Sequence, residues 1–515
     1  MSQSPPLAPI HGSALALLTL ALSLATFMQV LDTSIANVSI PDISGDLAVS
    51  PDQGTWIITS FAVSNAIALP LSGWLAQRFG EVRLFVAATL LFTLASMLCG
   101  LSTNLPMLVM FRVLQGAVAG PMIPLSQSLL LSNYPPDKKG LALALWSMTV
   151  VLAPIFGPIL GGYITDNLSW PWIFYINVPV GVVSSWMTWN LLKQRETATH
   201  RKPIDLVGLL LLVIGVGSLQ LLLDKGNELD WFGSHLIVAL AVVSAFALTI
   251  FVIWELTAEH PVVDLSLFGK RNFTVGAIAI SIGYMTFFGG VVVYPLWLQT
   301  QMGYTATWAG LSAAPIGILP VFLSPLVGRF MHKTDLRLLT SISFLMFAIV
   351  MFWSSGFTTS AGFAQLTLPR FALGLGMALF FIPLMSIILS GLPHSRLASA
   401  SGLSNFLRMV GGSFGTSLSI AIWDRRESFH HSRLAETVNL MSPVTQQTIA
   451  GLQHAGLTST QALGVMQYTL GGQSYVLAMN DVFLLSAGVF LSLIGVIWFA
   501  RPPFGAGGQA AGGEH

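Results

Sequence analysis

The chain has 515 residues, of which 54% are hydrophobic and only 8% are charged. A typical soluble domain carries roughly 25% charged residues, so this composition excludes an ordinary soluble fold and indicates an integral membrane protein. The formal net charge of +1 is uninformative as a total and gives no sign of a nucleic-acid partner, while the single cysteine, Cys99, excludes an intrachain disulfide.

Fourteen apolar stretches follow one another along the chain, each long enough to cross a bilayer as a helix of roughly 20 residues. They are predicted at 14–36, 54–75, 83–101, 105–127, 140–163, 170–192, 205–223, 235–256, 272–298, 307–328, 338–356, 363–390, 398–422 and 480–500. The predicted fold class is therefore all-α integral membrane, with fourteen transmembrane helices. Residues 424–479 are predicted to form a polar, partly helical outward loop, and residues 502–515 a flexible cytoplasmic tail.

The basic residues are distributed unevenly over the loops between these stretches. An even number of spans leaves both termini on one side, and if that side is the cytoplasm, fifteen of the 22 Lys and Arg residues face it. Cytoplasmic loops of membrane proteins carry such an excess of basic residues. The sequence therefore predicts a multi-pass protein with both termini cytoplasmic. Three arginines fall within predicted spans: Arg112, Arg370 and Arg408.

Two segments of the chain are repeated at a fixed offset. Arg112 and Arg370 begin the related sequences RVLQG and RFALG, 258 positions apart, and Phe156-Gly157 and Phe414-Gly415 show the same separation. Duplicated bundles that rock about a midplane site are typical of secondary transporters. We therefore expect six-helix bundles at 1–192 and 266–501, with two additional helices and their cytoplasmic linkers at 193–265.

Asp32 lies deep within the first predicted span, where a functional role is the default interpretation of an acid. Burial favours the protonated acid and a nearby cation favours the carboxylate, so a site that alternates between the two environments can carry a proton. Arg112 enters the fourth span near the same level. We expect it to pair with Asp32 in one state and to lose that contact in another. The structural alternative is a static buried ion pair or a helix cap.

Three motifs carry a family resemblance over essentially the whole chain. LDTSIANVSIP at 31–41, LVMFRVLQG at 108–116 and APIFGPILGG at 153–162 resemble the first-, fourth- and fifth-helix motifs of the fourteen-span drug:proton antiporters in the major facilitator superfamily. The resemblance implies proton-coupling roles for Asp32 and Arg112, and a motif role for Gln115 and Gly116. It also implies multidrug efflux from the bacterial inner membrane, driven by the proton motive force without a cofactor. A HlyD/EmrA-type periplasmic adaptor and a TolC-type outer-membrane channel are the implied partners.

Two further motifs are predicted to take part in gating. The loop with Gly73, Arg78, Gly80 and Arg83 matches the superfamily's motif between the second and third helices only in part, since Gln77 replaces the usual acid. A simple inward-positive loop explains its arginines equally well. In the fifth span we expect a kinked, deformable seam between the halves, and the alternative is ordinary close helix packing. Its residues are Pro154, Gly157, Pro158, Gly161 and Gly162.

The predicted substrates are hydrophobic weak acids or neutral amphiphiles rather than quaternary cations, because the predicted spans hold three arginines against one deep carboxylate. Predicted substrate-binding residues are Arg370, Arg408, Trp56, Tyr284 and Phe380. The alternatives are arginines that pair with carbonyl groups or lipid headgroups, and aromatic side chains that face lipid. His430-His431 is interpreted as solvated surface.

Other functions on the same fold stay open at this level. They are an importer or symporter, and a single-component exporter of one metabolite. An integral-membrane enzyme has little support, because we find no nucleophile with a base, no His/Cys metal set and no P-loop in the sequence. A channel is disfavoured by the duplicated halves.

Overall fold

The computed structural model describes residues 10–135, 138–199, 203, 205–438 and 442–504, and within them every regular element is a helix. The first half contains α1 (Gly12–Val38), α2 (Ile40–Asp46), α3 (Pro51–Gly54), α4 (Trp56–Ala68), α5 (Ser72–Phe79), α6 (Glu81–Gly100), α7 (Leu105–Ala119), α8 (Met122–Asn133), α9 (Lys139–Asn167), α10 (Trp172–Tyr175) and α11 (Asn177–Leu192). The central pair is α12 (Leu206–Lys225) and α13 (His235–Thr257). The second half contains α14 (Arg271–Gln301), α15 (Ala306–Ala313), α16 (Ile318–Phe330), α17 (Leu336–Ser354), α18 (Phe363–Ile388), α19 (His394–Thr437), α20 (Pro443–His454) and α21 (Ser459–Ile497).

The number of spans is lower than predicted when it is judged by length and apolarity. The described residues hold ten helices that meet both requirements, or twelve if each of two bent pairs is one span. The predicted spans at 170–192 and 398–422 are the two that fall short. The span predicted at 170–192 contains α11, which has only 16 residues. The span predicted at 398–422 belongs to α19, in which serine, glycine and charged residues are about as frequent as apolar ones.

Prolines mark the two bent pairs. α4 and α5 meet at an angle of 62° around Pro70, which has no N–H to continue the helix. α9 bends by 44° between Lys139–Pro154 and Ile159–Thr165. The carbonyl oxygen of Pro154 accepts a hydrogen bond from Ser34 Oγ at 3.1 Å. The side chain of Pro158 lies outside the part of the chain that the structure describes.

The segment predicted as an outward loop is largely helical. α19 continues to Thr437 for a total of 44 residues, and α21 begins at Ser459 and has 39 residues. We call α20 and the adjoining ends of α19 and α21 the helical projection. The interpretation of His430 as solvated surface is wrong, because its side chain is 18% exposed and lies 2.6 Å from Asp481. Of the predicted tail, residues 505–515 lie outside the described residues.

The two halves touch closely at the end of the molecule that carries Gly80. A Cβ atom on Gly328 of α16 would lie 2.5 Å from the carbonyl oxygen of Gly140 on α9. Gln127 of α8 accepts hydrogen bonds from Ser401 and, at 3.1 Å, from Asn405, both on α19. Small residues therefore bring the backbones together, and amide and hydroxyl groups join them.

The central pair contacts both halves. Gln220 of α12 donates to Ser413 Oγ of α19 at 2.9 Å, and Asn227 donates to the Ser417 carbonyl at 3.2 Å. On the other side, Lys225 Nζ donates to Thr55 Oγ1 at 2.6 Å, next to the start of α4. α12 therefore bridges the halves, and α13 packs on α12.

Candidate functional site

A buried ion pair occupies the interior of the first half. Asp32 on α1 and Arg112 on α7 are both fully buried, and Arg112 Nη1 lies 2.5 Å from Asp32 Oδ2. Asn104 caps the N-terminus of α7, because its side chain accepts a hydrogen bond from the Met107 N–H at 2.9 Å. This cap fixes the residue at which α7 begins, and Arg112, further along α7, then lies at the level of Asp32.

Two amides complete the shell around the carboxylate. Gln115 Nε2 donates to Asp32 Oδ1 at 3.1 Å, and Asn177 Nδ2 of α11 donates to the same oxygen at 2.9 Å. Asn177 also donates to Ser96 Oγ at 2.9 Å, and Gln115 Oε1 accepts from Arg112 at 2.9 Å. Asp32 thus accepts three N–H groups, a set that suits an ionised carboxylate, which can only accept.

The guanidinium is held by more than its ion pair. Arg112 Nε donates to the carbonyl oxygen of Ile57 at 3.0 Å, and its Cζ lies 4.3 Å from the centre of the Phe61 ring. A Cβ on Gly116 would collide with the Phe61 carbonyl oxygen, so the glycine lets α7 approach α4. The spacing of Arg112, Gln115 and Gly116 puts all three on one helix face.

This arrangement responds strongly to a change of charge. Removing one member of a buried ion pair costs about 3–5 kcal/mol, because the other charge is left without a partner. Protonation of Asp32 would remove its negative charge and weaken its hold on Arg112. The packing of α1, α7 and α11 around the carboxylate therefore depends on the Asp32–Arg112 pair.

Asn177 and Ser96 were not identified from the sequence. Asn177 is the first residue of α11 and lies inside the predicted span 170–192, and Ser96 is one of many small polar residues in apolar helices. The signal for Asn177 was an amide inside a predicted span, which needs a partner in lipid. The sequence did not show which helix supplied that partner.

The loop motif between α5 and α6 forms close contacts. A Cβ on Gly73 would lie 2.6 Å from Ser399 Cβ, so this glycine lies at the contact between the halves. Gly80 has a φ of 89°, which only glycine adopts easily. Glu196 accepts from the Val82 and Arg83 backbone N–H groups at 3.0 and 2.9 Å and caps α6.

The arginines of the same motif differ from a buried charge relay. Arg83 is two-thirds exposed and 3.9 Å from Glu196, while Arg78 lies 5.4 Å from the Trp74 ring centre. Glu81 is buried instead and accepts from Ser128 Oγ at 2.9 Å. The motif therefore contributes its glycines to packing.

The glycines of the fifth-span motif face α1, not the other half. A Cβ on Gly157 would lie 2.5 Å from Ser34 Cβ, and one on Gly161 would lie 3.0 Å from the Ile35 carbonyl oxygen. Gly162 has open space around it. The predicted place at a seam between the halves is therefore wrong for Gly157 and Gly161, since these two glycines lie between two helices of the first half. α9 does contact α15, α16 and α18 of the second half, and Gly140 lies at its crossing with α16.

Arg408 and Tyr284 come together on the second half. The Arg408 Cζ lies 4.7 Å from the Tyr284 ring centre and 5.6 Å from that of Phe381. Tyr284 also stacks on Phe288, with ring centres 4.7 Å apart. Met409, the neighbour of Arg408, accepts a weak hydrogen bond from Asn65 of α4. The cluster therefore lies beside the first half.

The other predicted substrate-binding residues lie apart from this cluster. Phe380 is 1% exposed and packs on Phe344 and Phe347, with ring centres 6.0 and 5.6 Å away, so its expected place in an open pocket is wrong. Its position on α18 turns the ring into the core. Trp56 is 41% exposed and lies beneath Lys225 Nζ at 5.6 Å.

Arg370 lies in the interior of the second half. It is 3% exposed, and its Cζ lies 4.1 Å from the Tyr294 ring centre and 5.2 Å from that of Phe483. A drug-sized molecule cannot reach a guanidinium enclosed to this degree, so the sequence-based expectation of direct substrate contact is not met in this conformation.

Similarity to other proteins extends over almost the whole chain. The sequence profile of the Major Facilitator Superfamily matches residues 22–416. The chain is 55% identical to "Multidrug export protein EmrB" of Escherichia coli (strain K12), over 98% of this chain and 99% of that protein. It is 52% identical to "Fatty acid resistance protein FarB" of Neisseria gonorrhoeae, over 97% and 99% respectively.

Among solved structures, the fold resembles that of the proton:xylose symporter XylE bound to 6-bromo-6-deoxy-D-glucose. The TM-score is 0.56 at 16% identity, over 92% of this chain and 94% of the other. At this level of identity the likeness shows a shared fold, and it carries no information about substrate or direction of transport.

Proposed function

Because the chain belongs to the Major Facilitator Superfamily, as its motifs predicted, we propose that it exports hydrophobic compounds across a bacterial inner membrane in exchange for protons. The observation that carries the proposal is the buried pair of Asp32 and Arg112, with Gln115 and Asn177 as additional donors to the carboxylate. No cofactor takes part, and the proton motive force supplies the energy.

The coupling step is the exchange of one proton on Asp32. In the described conformation the halves are closed at the end that carries Gly80, and the carboxylate is held by Arg112. Protonation of Asp32 weakens this pair, frees Arg112 and loosens the contact of α1 with α7. The halves then rock and open the Gly80 end, where Asp32 releases its proton and a new substrate enters.

The proposed substrates are hydrophobic weak acids and neutral amphiphiles. Arg408, with Tyr284 and Phe381, offers a cation and aromatic faces at the edge of the second half, next to Asn65 and Met409. A carboxylate can bind the guanidinium while an apolar body stacks on the rings. The relative named for fatty acid resistance agrees with this class, since fatty acids are hydrophobic carboxylic acids.

The proposed topology has fourteen spans with both termini in the cytoplasm. α11 and α19 supply the two spans that length and apolarity alone do not identify. α11 is short but directly follows α10, and the predicted span within α19 is largely buried among other helices. The excess of basic residues on the Gly80 side supports a cytoplasmic location for that end. The helical projection then lies in the periplasm.

The proposed partners are a HlyD/EmrA-type adaptor and a TolC-type channel. The helical projection carries an apolar cavity of about 450 Å³. Its lining includes Leu434, Val438, Leu452, Val465, Leu470 and Leu477. An apolar surface outside the membrane is a candidate for protein contact. Deletion of 430–475 should abolish capture of the purified adaptor while transport in vesicles persists; unaltered capture would remove the projection from the interface.

Flux in proteoliposomes tests the function. With an imposed pH gradient, the wild-type protein should move a hydrophobic acid against the direction of proton flow, and Asp32→Asn should lose this flux. Asp335→Asn is the matched control. Asp335 lies outside the spans, where its hydrogen bonds to Arg337 lower the pKa of the carboxyl group. Substrate movement with the protons would indicate a symporter, and full flux in Asp32→Asn would refute the proposal.

A further inference from the structure

The 258-residue repeat extends to the polar shell around the ion pair. Besides Arg112 and Arg370, it relates Ser96 to Ser354, and each serine lies on the third helix of its half, α6 or α17. Asn177 and Asn480 lie on α11 and α21, the last helices of the two halves. The position equivalent to Asp32 is Gly290. The second half therefore keeps the arginine and the serine at the repeat offset and has an asparagine on its last helix, while Gly290 and Leu373 stand in place of the acid and of Gln115.

The retained side chains have unused hydrogen-bonding atoms in the described structure. Arg370 Nε and Nη2, Ser354 Oγ and Asn480 Oδ1 have no partner, and neither does Trp297 Nε1, one turn from Tyr294. Ser354 and Trp297 are fully buried, and Arg370 is only 3% exposed. Asn480 Oδ1 can only accept, whereas the other four atoms can donate. Buried polar groups are normally paired, so these orphan donors point to a bound species that the chain does not supply.

These atoms belong to residues that share neighbours. Phe357 is contacted by the rings of Tyr294, Trp297 and Phe483, at 6.3, 6.4 and 6.3 Å between centres. Its carbonyl oxygen accepts from Asn480 Nδ2 at 2.9 Å. The Ser354 carbonyl oxygen accepts from the Phe357 N–H at 3.2 Å, and the Tyr294 and Phe483 rings also flank Arg370. The residues with unpaired atoms therefore lie in one region of the second half.

The charge of Arg370 is not neutralised by the described residues. Asp481 follows Asn480 directly, but it is bound by Arg426 and His430, each at 2.6 Å. The two aromatic rings offset part of the cost of burying the guanidinium, and its Nε and Nη2 groups remain unsatisfied. A buried cation without a carboxylate is a site for an anion.

We propose that the second half binds a small monovalent anion, of the size of chloride or nitrate, at Arg370, in the place that the Asp32 carboxylate takes in the first half. Arg370 supplies the charge, and Ser354 Oγ and Trp297 Nε1 are the nearby neutral donors. The enclosure of the site selects a small inorganic ion over the carboxylate of a drug-sized substrate. This inference is independent of the transported substrate and of proton coupling.

Binding of radioactive chloride to the purified full-length protein tests the site. The wild type should bind about one chloride per chain, and its melting temperature should rise when gluconate is replaced by chloride, bromide or nitrate. Arg370→Gln should lose both effects. Arg337→Gln is the matched control, since Arg337 also lies over an aromatic ring of this half but is paired with Asp335, and this variant should keep chloride binding.

A second variant supplies the missing carboxylate. A Cβ on Gly290 would lie 3.3 Å from Met351 Cε and 3.5 Å from Phe483 Cε1, so a side chain can be accommodated with a small shift. Gly290→Asp should abolish chloride binding and make the melting temperature independent of the anion, whereas Gly290→Ala should retain both properties of the wild type.

Three outcomes would overturn the proposal. No saturable chloride binding in the wild type would mean that water alone satisfies the donors. Equal binding in Arg370→Gln would mean that the anion lies elsewhere. Displacement of chloride by octanoate with the affinity of nitrate would mean that the site admits substrate carboxylates, contrary to its enclosure.

Discussion

Gly140 and Gly328 bring their backbones into direct contact where α9 crosses α16. A Cβ on Gly328 would lie 2.5 Å from the Gly140 carbonyl oxygen and 2.6 Å from Ala144 Cβ. A backbone carbonyl and an alanine methyl group cannot turn aside, so the two helices must separate to admit even one more methyl group. This contact holds the halves together at the Gly80 end.

Gly328→Ala should therefore shift the protein toward conformations that are open at this end. Spin labels at the exposed positions Arg83 and Lys333, one on each half, would report the change by pulsed electron resonance as a shift to longer distances. Gly162→Ala is the control, because nothing lies within 4 Å of the added Cβ. An unchanged distance distribution in Gly328→Ala would show that the glycine contact does not hold the end closed.

The contact of Gly157 with Ser34 gives a prediction about stability. Gly157→Ala places a Cβ 2.5 Å from Ser34 Cβ, and overpacking of this kind typically costs about 1–3 kcal/mol. Thermal unfolding in detergent should show the loss, and Ser34→Gly in the same chain should restore most of the melting temperature. If the second substitution brought no recovery, the destabilisation would have a source other than the α1–α9 contact.

The sequence predicted the ion pair because both residues could be counted from the ends of their spans. It could not predict Asn177 as the third ligand, because the approach of α11 to α1 is a tertiary contact without a local pattern. The orientation of the motif glycines was missed for the same reason. Gly157 and Gly140 lie on the same helix, and only packing shows that the first faces α1 and the second faces α16.

The length of α19 escaped prediction for a different reason. Hydropathy finds the ends of a span where polar residues begin, but a helix that leaves the membrane can continue through them. Residues 423–437 are polar enough to read as loop, and they are held as helix by contacts with α21, such as the hydrogen bond from Trp423 Nε1 to the Tyr475 carbonyl at 3.0 Å.

The coupling between Asp32 and Arg112 can be measured by a double-mutant cycle. Asp32→Asn leaves a buried guanidinium without a charge partner, and Arg112→Gln leaves a buried carboxylate, so each single change should cost about 3–5 kcal/mol. The double variant has no buried charge and should cost less than the sum of the two. Chemical denaturation of the purified protein measures these terms. Additive costs would show that the two side chains do not depend on each other.

Arg408 gives the test of substrate class. Arg408→Gln should weaken binding of a hydrophobic acid about 10–100-fold, because a hydrogen bond to a charged group contributes about 1.5–3 kcal/mol. Binding of a neutral amphiphile should not change. Arg408→Lys should recover only part of the loss, because lysine lacks the planar fork. Arg396→Gln is the matched control, because Arg396 is a partly exposed arginine on the same helix and lies 3.6 Å from Asp264. Equilibrium binding to the purified protein decides the matter, and tighter binding of an ethidium-like cation than of the acid would contradict the charge argument.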